Sequence, residues 1–153
     1  MTDSYKISRK ACADGDTSTG ANLTDEGGYV VKDEGSDFAS LCISASTTAD
    51  RPLGVIEKAD DATFGRATII CHGPALCIAG ADIDPGGSED TQVMVHTDGT
   101  VIPLAIPADS SVAASVWAVG FIISETGAQS VSAGEQIRIY VHPTLYGNRY
   151  AAP

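Results

Sequence analysis

Residues 115–142 read SVWAVGFIISETGAQSVSAGEQIRIYVH, two apolar segments on either side of a polar, Gly/Ser-rich turn. Over residues 136–142 the alternation is clean: Ile137, Ile139 and Val141 share one side, and Gln136, Arg138, Tyr140 and His142 the other. A period of two over seven residues, rich in β-branched side chains, predicts a half-buried strand. Residues 116–123 are apolar at nearly every position, which predicts a partner strand covered on both faces. That run holds the only Trp, Trp117, and Gly120, which leaves room for a close neighbour. A helix fits it poorly, because Val, Ile, Phe, Trp and Gly are mediocre or weak helix formers and no capping residue frames the run.

Outward from this hairpin the chain gives further short strands. Toward the N-terminus these are residues 38–43, residues 51–57 opened by Pro52, residues 64–71, and residues 75–79 after a Gly73-Pro74 turn. Residues 92–96 and 101–104 flank Thr97-Asp98-Gly99-Thr100, a hairpin signal because Asp-Gly tolerates positive φ. The Gly- and Asp-rich residues 80–90 and the Pro/Ala/Ser segment 106–114 read as loops. An internal echo links Leu53-Gly54-Val55-Ile56 and a strand ending Ile70-Cys71-His72-Gly73 to Val119-Gly120-Phe121-Ile122 and a strand ending Tyr140-Val141-His142-Pro143. Two similar hairpins packed together would produce it.

The fold expected is all-β, a small antiparallel β-barrel or sandwich spanning residues 36–143. Residues 1–35 are polar, acidic and poor in large apolar groups. Alone they cannot bury enough surface to offset their ordering entropy, so they are expected to form an extended or disordered arm, with residues 29–32 its one short strand. Residues 144–153 are expected to be a short tail, since the run from Pro143 holds too many breakers for a core strand.

The chain has 153 residues, about one domain. Its 9 Lys and Arg against 20 Asp and Glu give a formal net charge of −11, which repels phosphate backbones and anionic membrane surfaces at long range. No nucleic-acid or membrane partner is therefore expected. No stretch approaches the roughly 20 apolar residues of a membrane helix, and the N-terminus lacks the apolar core of a secretion signal. Cys12, Cys42, Cys71 and Cys77 show no Cys-x-x-Cys spacing and read as small buried thiols of a chain in a reducing cytosol.

Chemistry-bearing motifs are scarce. His72, His96 and His142 each end a predicted strand; strand ends fall on both rims of a barrel, so they read as surface imidazoles and not as a zinc set. Asp82, Asp84, Glu89 and Asp90 lack the EF-hand spacing and read as a solvated acidic loop. No nucleophile elbow, phosphate loop, dinucleotide fingerprint or zinc-protease motif occurs. The expectation is a protein without catalysis, cofactor or metal. Tyr146, Arg149 and Tyr150 are of types enriched at protein interfaces.

A family resemblance rests on an ordered set of short motifs. Pro52-Leu53-Gly54-Val55 is followed by a strand, then by His72-Gly73-Pro74-Ala75-Leu76-Cys77-Ile78 and an acidic Gly-rich loop. Thr97-Asp98-Gly99-Thr100-Val101, Ala118-Val119-Gly120-Phe121-Ile122 and residues 132–143, SAGEQIRIYVHP, complete it. This order resembles the capsid decoration, or head cement, proteins of tailed bacteriophages over residues 51–142. The long acidic N-terminal segment and the extra residues near 82–90 and 106–114 depart from the family pattern. The resemblance implies a homotrimer on the outer capsid of the virion, bound to the major capsid protein where capsomers meet. Tyr5, Lys6, Arg9, Lys10 and Tyr29 in the arm, with Tyr146, Arg149 and Tyr150 in the tail, are then the candidate interface residues. The alternative is a ligand- or carbohydrate-binding β module for host adhesion. It predicts exposed aromatic platforms, for which 6% aromatic residues gives thin support. A trimeric β-rich hydrolase would need polar residues gathered at a subunit cleft, and nothing local shows that.

Overall fold

A computed structural model describes residues 4–42, 51–84, 92–105, 115–123 and 130–147. Ten strands run β1 (Tyr5–Ala13), β2 (Asp16–Gly20), β3 (Val30–Gly35), β4 (Phe38–Leu41), β5 (Pro52–Ala59), β6 (Arg66–Ile78), β7 (Gln92–Val95), β8 (Val101–Pro103), β9 (Ser115–Ile122) and β10 (Gln136–Gly147). There is no helix among the described residues, in line with the all-β fold expected from the strand pattern. The sheet order is β2-β1-β4-β3-β5-β6-β10-β9-β7-β8, and β1 also pairs with β6. The sheet is mixed, because β1 and β4 run parallel, with Lys10 opposite Phe38 and Ala11 opposite Ala39.

The additional β1–β6 ladder makes a circuit: β1, β4, β3, β5 and β6 pair in turn and return to β1. Five strands about 4.8 Å apart give a ring roughly 24 Å round, so its radius is only about 4 Å before strand tilt widens it. Such an interior suits small side chains. Each ring strand contributes to one buried cluster: Ala11, Ala39, Val31, Ile56, and Ala67 with Ile69, joined by Leu23 from the β2–β3 loop.

A second cluster joins Val30, Val55 and Ile70 to Ala75, Cys77, Ile83, Val93, Val95, Val101, Val119, Ile137, Ile139 and Val141. Neighbours along a strand point to opposite faces. The adjacent pairs Val30/Val31, Val55/Ile56 and Ile69/Ile70 thus divide between the two clusters, and β3, β5 and the first half of β6 are buried on both sides. The alternation expected of residues 136–142 is present, with Ile137, Ile139 and Val141 buried and Gln136, Arg138 and His142 exposed. Its predicted partner is β9, with Val141 opposite Gly120 and Ile139 opposite Ile122. Cover on both faces of β9 ends at Gly120, for Phe121 is exposed.

Four expectations need correction. First, residues 5–35 are not a detached arm. β1 pairs with β6 from Tyr5 to Lys10, and β3 with β4 and β5. Judging the segment by its own apolar content missed that Ile7, Ala11, Val30 and Val31 complete clusters whose other members lie far along the chain. Second, Gly73-Pro74 does not end a strand. β6 continues through them with Gly73 at φ +111°, changing partners there from β1 and β5 to β10. Pro74 falls opposite Tyr140 in this second ladder. Third, residues 144–147 are not tail but the end of β10, which passes Pro143 by a register shift and pairs Leu145 with Trp117. Fourth, the Asp98-Gly99 hairpin uses positive φ at Gly99 alone. His96 and Thr100 close it (His96 N–H to Thr100 O, 2.7 Å), as in a three-residue loop whose last residue is left-handed. Ile43, most of the acidic loop 80–90 and residues 106–114 lie outside the described residues.

Candidate interaction surface

The sequence echo has a structural counterpart. A Cβ added to Gly54 would lie 2.2 Å from the carbonyl oxygen of Ile70, and one added to Gly120 would lie 2.0 Å from that of Tyr140. Ile70 and Tyr140 occupy the same place in the two copies, so hairpins β5–β6 and β9–β10 use their glycines alike. The copies meet along the antiparallel β6–β10 ladder, with Gly73 opposite Val141. This brings the equivalent histidines together: His142 Nδ1 is 3.2 Å from His72 Nε2, and the Tyr140 hydroxyl is 3.4 Å from His72 Nδ1. Both imidazoles are exposed, and one ring nitrogen must donate to the other. With the Tyr140 hydroxyl donating to Nδ1 of His72, Nε2–H of His72 donates to His142. His96 lies apart, its Nδ1 3.3 Å from the Thr97 hydroxyl and 3.7 Å from the Asp98 carboxylate. No group of three or more His, Cys, Asp or Glu able to hold a metal occurs among the described residues.

Around this contact the outer face of the second hairpin is open. Phe121 is 45% exposed and stacks on Tyr140 at 5.2 Å between ring centroids. Leu76 is 45% and Leu145 50% exposed. Large apolar side chains with the inner faces of β6 and β10 already packed make this an uncovered surface of the kind partners bury.

Beside it, the end of the strand ring where β1 and β5 begin opens into a cleft of about 680 Å³. Tyr5, Ile7 and Arg9 of β1, Asp33 of β3, Arg51 to Leu53, Cys71, His72, His142 and Pro143 line it. Ile7 stands opposite Ile69 and Arg9 opposite Ala67, so both share the inward face of β1 with Ala11. The Arg9 Nε is buried without a hydrogen-bond partner, while its Nη1 donates to the Ser8 carbonyl at 3.1 Å. Arg51 lies 5.2 Å from the ring centroid of Trp117. Among the described residues, neither guanidinium forms an ion pair. Burial pushes the Cys71 thiol up, against the nearby Arg9 charge, with Asp33 adding to the upward push.

The eight proposed interface residues scatter. Tyr5 is 65% exposed at the cleft rim. Lys6 pairs with Glu57 at 2.9 Å, and Lys10 lies 5.8 Å from the Phe38 ring centroid. Arg9 turns into the ring, Tyr29 packs half-buried against the ring cluster, and Tyr146 is half-buried in β10. Arg149 and Tyr150 lie outside the described residues. The sequence reading missed the convergence of Arg9, Arg51 and Asp33 and the exposed Phe121. The echo, which aligned His72 with His142, was the one signal that could have pointed here.

No protein-family model matches the chain, and no curated protein matches it in sequence. In fold it is similar to a part of a bacteriophage head. That structure is the N base of the head fiber gp8.5 of bacteriophage phi29, with a TM-score of 0.53 and 18% sequence identity over 90% of this chain and 95% of that one.

Proposed function

We propose that this is a non-enzymatic structural protein of a tailed-phage virion, carried on the outer surface of the head. The reading is carried by the fold likeness to a head-fiber base, which extends over nine-tenths of the chain. The motif order between residues 51 and 142 supports it independently. In the finer form of the proposal the protein is a homotrimer that cements junctions between capsomers of the major capsid protein. The uncovered face bearing Leu76, Phe121 and Leu145 supplies apolar area for such contacts. A standard interface buries roughly 1,200–2,000 Å², and many copies on one shell act together. A second reading, the seat of a head fiber, is favoured by the same neighbour, which is itself such a base. Sedimentation of purified protein mixed with empty heads tests the proposal. Co-sedimentation at a fixed copy number and a trimer in free solution are expected; a monomer with no affinity for any head would overturn it.

A further inference from the structure

The cleft at the mouth of the strand ring reverses the sign of the rest of the molecule. The chain carries 20 acidic residues against 9 Lys and Arg, yet the cleft gathers Arg9, Arg51, His72 and His142 around one carboxylate, Asp33. Arg9 is directed inward and lines the cleft, its Nε buried and unpartnered and its Nη1 donating to the Ser8 carbonyl at 3.1 Å, a contact that holds the guanidinium at the cleft wall. Guanidinium groups grip planar or tetrahedral oxyanions through paired N–H donors. Asp33 would oppose a bare inorganic anion, but it accepts hydrogen bonds from hydroxyl groups. Tyr5, Pro52, Leu53 and Pro143 supply apolar walls, and about 680 Å³ lies in the range of small-molecule sites.

We infer that this mouth binds an acidic sugar, its carboxylate or phosphate held by Arg9 and Arg51 and its hydroxyls turned toward Asp33 and the two histidines. The stack of Arg51 on Trp117 provides a readout, because Trp117 is the only Trp in the chain and ligand capture draws the cation from its ring.

The test titrates the full chain at low salt with glucuronate, glucose 6-phosphate and neutral glucose, following Trp117 emission and heat. Saturable binding of either acid in about the millimolar range or tighter, with no response to glucose, is expected; which acid binds more tightly identifies the anionic group. Arg9→Gln weakens binding about tenfold or more, Arg9→Lys by less because it keeps the charge without the fork, and Lys58→Gln, an exposed charge outside the cleft, leaves it unchanged. Arg51→Gln, at an exposed position, gives the same loss by calorimetry if Arg9→Gln fails to fold. Equal binding of glucose, equal weakening by Lys58→Gln, or no binding up to about 10 mM of either acid overturns the inference.

Discussion

Hairpins β5–β6 and β9–β10 are built alike and used differently. Each places a glycine against the carbonyl two positions before a histidine, and the two histidines touch. The first hairpin lies between two buried clusters, with Val55 and Ile70 facing one and Ile56 and Ile69 the other. The second buries Ile137, Ile139 and Val141 on one side and shows Phe121, Tyr140 and His142 on the other. One structural unit therefore serves as interior in one copy and as boundary in the next. Register is common to both, and what differs is whether β1, β3 and β4 have closed over the unit.

The largest effect expected is on the shared feature. Gly54→Ala and Gly120→Ala each drive a methyl into backbone, which cannot yield as a side-chain tip would, and each should cost about 3 kcal/mol or more. Urea denaturation measures both; an undisturbed midpoint in either variant breaks the equivalence. Next come the faces. Ile69→Ala and Ile139→Ala, fully buried in different clusters, should each cost about 2–4 kcal/mol. Phe121→Ala should cost under about 1 kcal/mol while weakening head binding about tenfold or more. Loss of stability without loss of binding would assign Phe121 to folding alone.

Acid response should be smaller and similar in the two halves. Hydrogen bonds from Arg66 of β6 hold the Asp37 carboxyl below its usual range, at 2.9 and 3.0 Å, and the Thr100 hydroxyl does the same for Asp98 beside β7. A carboxyl so depressed binds fewer protons folded than unfolded. Its contribution is complete above the unfolded value near 4 and drains away as pH falls through the folded value. Melting temperature should therefore decline below about pH 4. Asp37→Asn and Asp98→Asn should each flatten that decline, and a slope unchanged in both would remove these carboxylates from it. The smallest effect is kinetic. Half-buried Cys71 at the cleft should react slowly with a thiol reagent, and wholly buried Cys77 only on unfolding, since burial raises both thiols. Equal rates in the native protein would contradict their placement.

Local patterns told the truth about local structure. Alternation found β10, the apolar run found β9, and Asp98-Gly99 found the β7–β8 hairpin. What stayed hidden depends on residues meeting across long separations. β1 looked like a polar arm because its apolar residues are few, but Ile7 meets Ile69 and Ala11 meets Ala39. Gly73-Pro74 read as a terminator because nothing nearby announces that β6 exchanges one set of neighbours for another there. The candidate site was illegible for the same reason: Arg9 and Arg51 share a cleft only after β1 has closed the ring.

That closure also orders events during synthesis. Tyr5–Ala13 is made before its antiparallel mate, Arg66 to His72, which emerges only after β2 to β5. β2 and β4 can pair with the far end of β1 first, at Lys10 to Ala13, so the ladder to β6 is the last to form and the ring closes slowly, as topologies dominated by distant pairings do.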